Sequence, residues 1–222
     1  MDWTAFALSL RLAAWTCAVL LPVAMVVSSF LARRRFRGKG LVEAAIAMPL
    51  VLPPTVLGYY VLVALGGNSP VGQAYQSVFG RPLVFSFGGL LVASLLINIP
   101  FAVQPMQRAF EAVSGDVREA AWVSGLSRRA TFLRIELPLA WPGVLSAFVL
   151  TFAHTLGEFG VVLMVGGSIP GETKTIAIAI YDRAQAFDTA AAGLMAAVLL
   201  AFSIVTVGLV YGFAGRIGRR YD

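Results

Sequence analysis

The sequence has one cysteine, one histidine and few charged residues among its 222 positions. The single cysteine, Cys17, excludes an internal disulfide, and one cysteine with one histidine is too small a set for a Cys and His metal cluster. No segment of the form GxxxxGK[ST] is present, which excludes that class of phosphate-binding loop. Paired catalytic carboxylates and a nucleophile beside a base are also lacking. These absences argue against an enzyme, and they assign any ATP hydrolysis that serves this chain to another protein.

Charged residues make up 13% of the sequence and hydrophobic residues 59%, whereas soluble domains carry about 25% charge. The mean hydropathy is +0.82. The charges separate five apolar stretches, each with at least the roughly 20 residues that cross about 30 Å of hydrocarbon. These stretches are residues 12–31, 44–65, 82–107, 139–167 (interrupted only by His154 and Glu158) and 189–215. We predict an all-α integral membrane protein with five spans in a single domain, residues 1–222.

Basic residues are unevenly distributed between the two sides that five spans define. Thirteen of the 17 Lys and Arg residues lie in three connections, residues 33–39, 108–134 and 216–220. Because Lys and Arg are enriched in cytoplasmic loops, we predict an N-terminus outside and a C-terminus in the cytoplasm. The basic runs border spans and lack interleaved aromatic residues, so the net charge of +6 does not indicate nucleic-acid binding.

The loop at residues 108–138 has the most specific pattern in the chain. It reads Glu119-Ala120-Ala121, three residues, Gly125, nine residues, Ile135, one residue, Leu137-Pro138. Asp116 is placed to cap a first helix, and Gly125 suits a bend with positive φ. Ser127 is placed to cap a second helix, which Pro138 closes before the next span. The pattern therefore predicts two short helices with a tight bend, which form either a surface hairpin without a partner or a docking element.

The second apolar stretch contains three prolines, Pro49, Pro53 and Pro54. Because proline lacks a backbone donor and clashes with the preceding turn, this span is expected to kink or break. Broken helices in transporters often line the route of the solute, although a kink can also simply fit a helix to its neighbours. Residues 166–188 contain isoleucines whose spacing suits a strand and a helix equally well.

His154 and Glu158 lie four residues apart and would share one face of a helix within the fourth apolar stretch. An unpaired charge at this depth costs about 2.5 to 3.5 kcal/mol or more, so Glu158 is expected to face the protein interior or water. The pair is either a gate or proton relay, or a buried polar pair that fixes helix packing. For an anionic solute the second interpretation is favoured, because a carboxylate repels an anion.

The loop pattern matches the EAA loop of ABC importer permeases at every defined position. Residues 48–60, 154–160, 169–176 and 180–181 resemble the corresponding segments of molybdate permeases, whose sulfate and tungstate relatives have much of the same sequence there. The resemblance implies the five-span core of a type I importer that translocates molybdate, with tungstate or sulfate as alternatives. A more distant alternative is a proton-coupled carrier that uses His154 and Glu158.

The resemblance also implies partners and a place in the cell. The chain would be a multi-pass protein of the inner membrane, in contact with lipid, and would pair with a second copy of itself. Two ATPase subunits would carry ATP and Mg, and a periplasmic or extracellular protein would deliver molybdate; this chain would bind no cofactor. The residues implied in coupling to the ATPase are Glu119, Ala120, Ala121, Gly125, Leu126, Ser127 and Arg128.

A tetrahedral dianion is best carried by neutral donors, because a deep cationic site would hold it too tightly. The candidate residues of the route are Thr55, Gly58, Ser94, Asn98, Thr151, Thr155 and Glu158. Small and hydroxyl residues are also common wherever membrane helices pack, so these positions fit a purely structural role as well.

Overall fold

The structure, a computed structural model, describes residues 1–218, with the backbone alone for residues 210, 211 and 213–218. Residues 219–222, which include two of the arginines used to predict the orientation, lie outside the described part. The helices are α1 (Trp3–Arg33), α2 (Lys39–Val51), α3 (Pro54–Leu65), α4 (Pro70–Phe79), α5 (Phe87–Ala112), α6 (Gly115–Val123), α7 (Arg128–Thr131), α8 (Leu137–Gly157), α9 (Gly160–Gly166), α10 (Ile176–Gln185) and α11 (Thr189–Gly218). A π-helical turn, Phe132–Glu136, joins α7 to α8.

Four continuous helical segments are long and apolar enough to cross a membrane: Trp3–Arg33, Phe87–Ala112, Arg128–Gly157 and Thr189–Leu209. The pair α2 and α3 makes a fifth if it is counted as one span. This confirms the all-α class, and the predicted five spans are reached when the bent pair is counted as one. The expected fourth span, residues 139–167, was wrong in its bounds, because the helix begins at Arg128 and ends at Gly157, and α9 follows as a separate short helix.

The predicted break in the second stretch is confirmed: α2 and α3 meet at 110°. A proline disfavours helical backbone at the residue before it. Leu52 precedes Pro53, and Pro53 precedes Pro54, so two successive residues are held extended, with ψ values of 141° and 138°. The apolar run therefore forms two helices and a sharp turn. In the later segment, Ile176, Ile178 and Ile180 lie in the helix α10.

The centre of the fold is the packing of α1, α5 and α8. The buried cluster takes Leu20, Ala24 and Leu31 from α1, Ala102, Val103, Met106 and Phe110 from α5, and Ala140, Val144 and Ala147 from α8. Small residues at membrane helix contacts let backbones approach closely. A second cluster, from α3, α5 and α9, includes Val61, Ile97 and Val165.

Candidate coupling loop and translocation residues

The 119–128 segment has the predicted tight bend between two helices, of which only the first, α6, is short. Gly125 adopts φ +85°, a left-handed conformation that favours glycine. The N–H of Leu126 donates to the carbonyl of Ala121 at 3.0 Å, and this bond closes the end of α6. Ser127 Oγ accepts from the N–H of Ala130 at 3.2 Å and caps α7, as predicted.

The prediction that Asp116 caps the first helix was wrong. The cap is Ser114, whose Oγ accepts from the N–H of Val117 at 3.4 Å. Ser114 has extended backbone with ψ 152°, so the helix begins at Gly115 and Asp116 falls within its first turn. There the carboxylate still has favourable interactions with the positive end of the helix dipole.

Pro138 does not close the second helix, contrary to the prediction. Helix α7 continues through the π-helical turn into α8, and the N–H of Leu137 donates to the carbonyl of Phe132, five residues earlier. The wider turn accommodates a proline that has no N–H to donate to an ordinary α-helical turn. The loop is therefore joined to the membrane span by one continuous helical segment, Arg128–Gly157.

A cavity of about 410 Å³ lies between the end of α1, α6 and the π-helical turn; we call it the arginine cavity. Its lining consists of Arg33, Arg34, Gly115, Arg118, Glu119, Trp122, Arg128 and Glu136. Arg33 Nη2 contacts Glu136 Oε2 at 2.8 Å, and the Arg128 guanidinium lies 5.8 Å from the centre of the Trp122 ring. Glu119 therefore has four arginines of its own chain around the same cavity. Val123 on the same helix is 90% exposed and does not line the cavity.

Four of the proposed route residues are buried between α1, α5 and α8. Asn98 Nδ2 donates to Ser94 O at 2.8 Å and to Thr155 Oγ1 at 3.1 Å, and Thr155 Oγ1 donates to Thr151 O at 2.7 Å. The sequence analysis missed Thr16 of α1, whose hydroxyl donates to Ser94 Oγ at 2.9 Å. Only the fold reveals Thr16, because it is 78 residues from its partner. The group forms an internal hydrogen-bonded network.

His154 and Glu158 lie together, as expected from their spacing, with 3.7 Å between Nε2 and Oε2. His154 Nδ1 lies 3.1 Å from Asn98 Oδ1, and its ring stacks on Phe101 with centroids 4.1 Å apart. Glu158 Oε1 accepts from the N–H of Val161 at 2.9 Å, at the beginning of α9. These contacts favour the packing interpretation, because both side chains hold the ends of helices in place.

Thr55 and Gly58 lie on α3, apart from this network. Thr55 is exposed beside the break, while Gly58 is buried against α9. A Cβ at Gly58 would lie 2.8 Å from the Cβ of Met164 and 3.1 Å from the Cα of Val161. Glycine is therefore required here because the two helices approach closely.

A groove between α2 and α5 was not expected from the sequence. Its volume is about 630 Å³, and its lining includes Lys39, Glu43, Gln104, Gln107, Arg108 and Glu111. Gln107 Nε2 donates to Glu43 Oε1 at 2.6 Å and to Glu111 Oε1 at 2.9 Å, and Lys39 Nζ lies 3.6 Å and 3.7 Å from the same two atoms. Within residues 1–218, no three His, Cys, Asp or Glu side chains are grouped to hold a metal.

The comparisons with known proteins agree on one family. The chain is 45% identical over 210 residues to the molybdenum transport system permease protein ModB of Azotobacter vinelandii, covering 95% of this chain and 93% of that protein. It is 31% identical over 196 residues to the sulfate transport system permease protein CysT of Salmonella typhimurium, covering 88% and 70%.

The fold resembles the crystal structure of a bacterial ABC transporter involved in the import of the acidic polysaccharide alginate. The TM-score is 0.73 at 17% identity, covering 98% of this chain and 78% of that one. The family model described as "Binding-protein-dependent transport system inner membrane component" matches residues 24–220. The chain belongs to this family of inner membrane transport components, and it is a transport subunit rather than an enzyme.

Proposed function

We propose that this chain is the membrane-spanning subunit of an ATP-driven importer that carries molybdate across the inner membrane. The observation that carries the proposal is the 45% identity, along nearly the whole chain, to a permease named for molybdenum transport. The relative named for sulfate transport is less similar, at 31%. Tungstate and sulfate are tetrahedral dianions too, so they remain the nearest alternative substrates.

The described surface supports assembly with a second copy. Exposed apolar side chains gather on both arms of the 110° bend: Met48, Leu50 and Val51 on α2, and Tyr59 and Tyr60 on α3. A second permease would cover this face around a two-fold axis. Residues 1–222 then act as one membrane domain, and the solute crosses between the two copies.

The coupling loop, residues 108–138, would contact an ATPase subunit through Glu119 to Ala121 and Gly125 to Arg128. ATP and Mg bind to the two ATPase subunits, and this chain binds no cofactor. Closure of the ATPase pair would move the two loops together, and the continuous helix from Arg128 to Gly157 would carry the movement to the centre of the membrane. The side opposite the loop would receive molybdate from the binding protein.

In this proposal the groove between α2 and α5 opens on the loop side and offers a way out to the cytoplasm. The groove adjoins a second cavity of about 360 Å³, which shares Gln104 and Arg108 with it and includes Phe101. Selection among the dianions rests mainly on the binding protein, since molybdate, tungstate and sulfate share one charge and one shape and the permease would separate them only weakly.

Reconstitution tests the proposal. In liposomes with its ATPase and binding protein, the permease should move labelled molybdate at the expense of ATP, tungstate should compete, and sulfate should compete poorly. Hydrolysis that no oxyanion stimulates would refute it, and equal carriage of sulfate at low concentration would refute molybdate as the substrate. Uptake abolished by collapse of the proton gradient but indifferent to ATP would favour a proton-coupled carrier.

A further inference from the structure

The arginine cavity has a strong positive bias. Four arginines and two glutamates line it, a net charge of +2. Glu136 is already paired with Arg33 at 2.8 Å. Among residues 1–218, no carboxylate lies within 4.0 Å of the guanidinium nitrogens of Arg34, Arg118 or Arg128. Three guanidinium groups with only Glu119 to balance them favour an anion, and an arginine fork suits phosphate oxygens.

An exposed apolar stripe on α1 runs to this cavity. Val19, Val23, Val26 and Phe30 are exposed and follow one another at intervals of four, three and four residues, so they share one face of the helix. The Phe30 ring lies 5.9 Å from that of Phe36, and Arg33 and Arg34 between them line the cavity. The end of a membrane span lies at the level of the lipid headgroups. The apolar stripe lies further inside the span and so contacts the acyl chains.

The two faces of helix α6 have different surroundings: one lines the arginine cavity and the other is exposed. Gly115, Arg118, Glu119 and Trp122, at i, i+3, i+4 and i+7, line the cavity. Val123, which is 90% exposed, does not. An ATPase can therefore contact the outer face of α6 at Val123 while Arg118 and Trp122 face a separate ligand. Glu119 and Arg128, which the proposed function assigns to the ATPase contact, also line the cavity, so both partners would use them.

We infer that the arginine cavity binds the phosphate headgroup of an anionic phospholipid, with the acyl chains along the exposed stripe of α1. Arg34, Arg118 and Arg128 contact the phosphate, and Trp122 lies beside the headgroup. The site ties a lipid of the cytoplasmic leaflet to the coupling loop. The inference rests on the family's place in the inner membrane and not on the identity of the transported anion, so a different substrate would leave it intact.

The test is native mass spectrometry of the purified permease–ATPase complex, titrated with phosphatidylglycerol or phosphatidylcholine. Each permease should retain phosphatidylglycerol in preference to phosphatidylcholine. Each arginine near an anionic lipid surface is worth about fivefold in affinity. The single variant Arg118→Gln should thus weaken binding about fivefold, and the triple variant Arg34→Gln/Arg118→Gln/Arg128→Gln roughly a hundredfold.

The matched control is Arg35→Gln/Arg37→Gln/Arg134→Gln, which removes the same charge from the same side of the protein, outside the cavity. It should keep the affinity within about twofold. Equal weakening in both triple variants would refute the site as a specific one. The single variant keeps the test decisive if the triple variant fails to assemble.

Further experiments distinguish a phospholipid from other occupants of the arginine cavity. Inorganic phosphate at lipid-equivalent concentrations should fail to displace phosphatidylglycerol, because the apolar stripe contributes to binding; full displacement would overturn the lipid. Loss of ATPase association in Arg118→Gln with unchanged lipid binding would assign the cavity to the ATPase. A disulfide between two copies carrying Val26→Cys in a Cys17→Ser background would assign the stripe to a permease contact and refute the inference.

Discussion

Glu136 in the π-helical turn pairs with Arg33 at the end of α1, with 2.8 Å between Oε2 and Nη2, and Glu136 is only 2% exposed. The Arg33 guanidinium also lies 5.1 Å from the centre of the Phe132 ring. The pair fastens the first span to the segment between the coupling loop and α8. If the loop moves as proposed, the movement would reach two spans at once.

Glu136→Ala should destabilise the protein by about 3 kcal/mol, near the low end for a broken buried pair, because the partly exposed Arg33 can regain water. Glu136→Gln keeps an acceptor and should cost less. Replacement of both partners, Arg33→Leu/Glu136→Leu, should recover much of the loss. The measurement is denaturant unfolding of the detergent-solubilised protein, and equal stability of wild type and Glu136→Ala would contradict the prediction.

A second prediction concerns the stability that the buried network around Asn98 gives to the fold. Asn98→Leu removes the amide that donates to Thr155 Oγ1 and the oxygen that lies beside His154 Nδ1, which should cost about 1–3 kcal/mol. Thr16→Val, at the edge of the network, should cost less. Thermal unfolding in detergent measures both. If Asn98→Leu were as stable as wild type but failed in uptake, Asn98 would belong to the route rather than to helix packing.

Gly125 provides a third prediction through its φ of +85°. A valine there should strain the backbone by about 1–2 kcal/mol and disturb the bend. No atom lies within 4 Å of a Cβ built at this position, so the effect would come from conformation and not from a clash. Gly125→Val should uncouple hydrolysis from uptake, whereas Gly125→Asn, which tolerates positive φ, should retain most activity. Parallel assays of ATPase activity and uptake test this, and full coupling in Gly125→Val would contradict it.

Variants at Ser114 and Glu119 test two different roles, capping of α6 and contact with the ATPase. Because Ser114 caps α6, Ser114→Ala should loosen that helix by about 1 kcal/mol, visible as faster amide exchange in residues 115–123. Glu119→Gln should leave that exchange unchanged and weaken association with the ATPase, if a charge pair forms at the contact. Unchanged association would show that Glu119 acts only within the arginine cavity.

The orientation predicted from the basic residues can be tested with single cysteines in a Cys17→Ser background. Ser77 on α4 and Ser124 at the end of α6 are both exposed. Cys at position 77 should react with an impermeant thiol reagent from outside, and Cys at position 124 only after the cells are opened. Labelling of both from outside would overturn the orientation.

The sequence by itself determined the class of the protein and the bend of the loop. Long uncharged stretches leave helices as the only way to satisfy the backbone in lipid, so the all-α fold followed from composition. The bend at Gly125, the cap at Ser127 and the break at Pro53 and Pro54 depend on backbone preferences of single residues, which act over a few positions. These features were therefore predictable without knowledge of the neighbours.

Tertiary structure decided how residues far apart in the chain meet. The pairing of Arg33 with Glu136, the bond from Thr16 to Ser94 and the arginine cavity all join segments that no local pattern relates. It also overrode local rules, since Pro138 lies inside a helix that packing on α5 sustains and a π-helical turn accommodates. Three helices pack together to bury the four polar residues Ser94, Asn98, Thr151 and Thr155. The sequence could not predict this burial, because a polar residue in an apolar stretch can face either a solute route or a neighbouring helix.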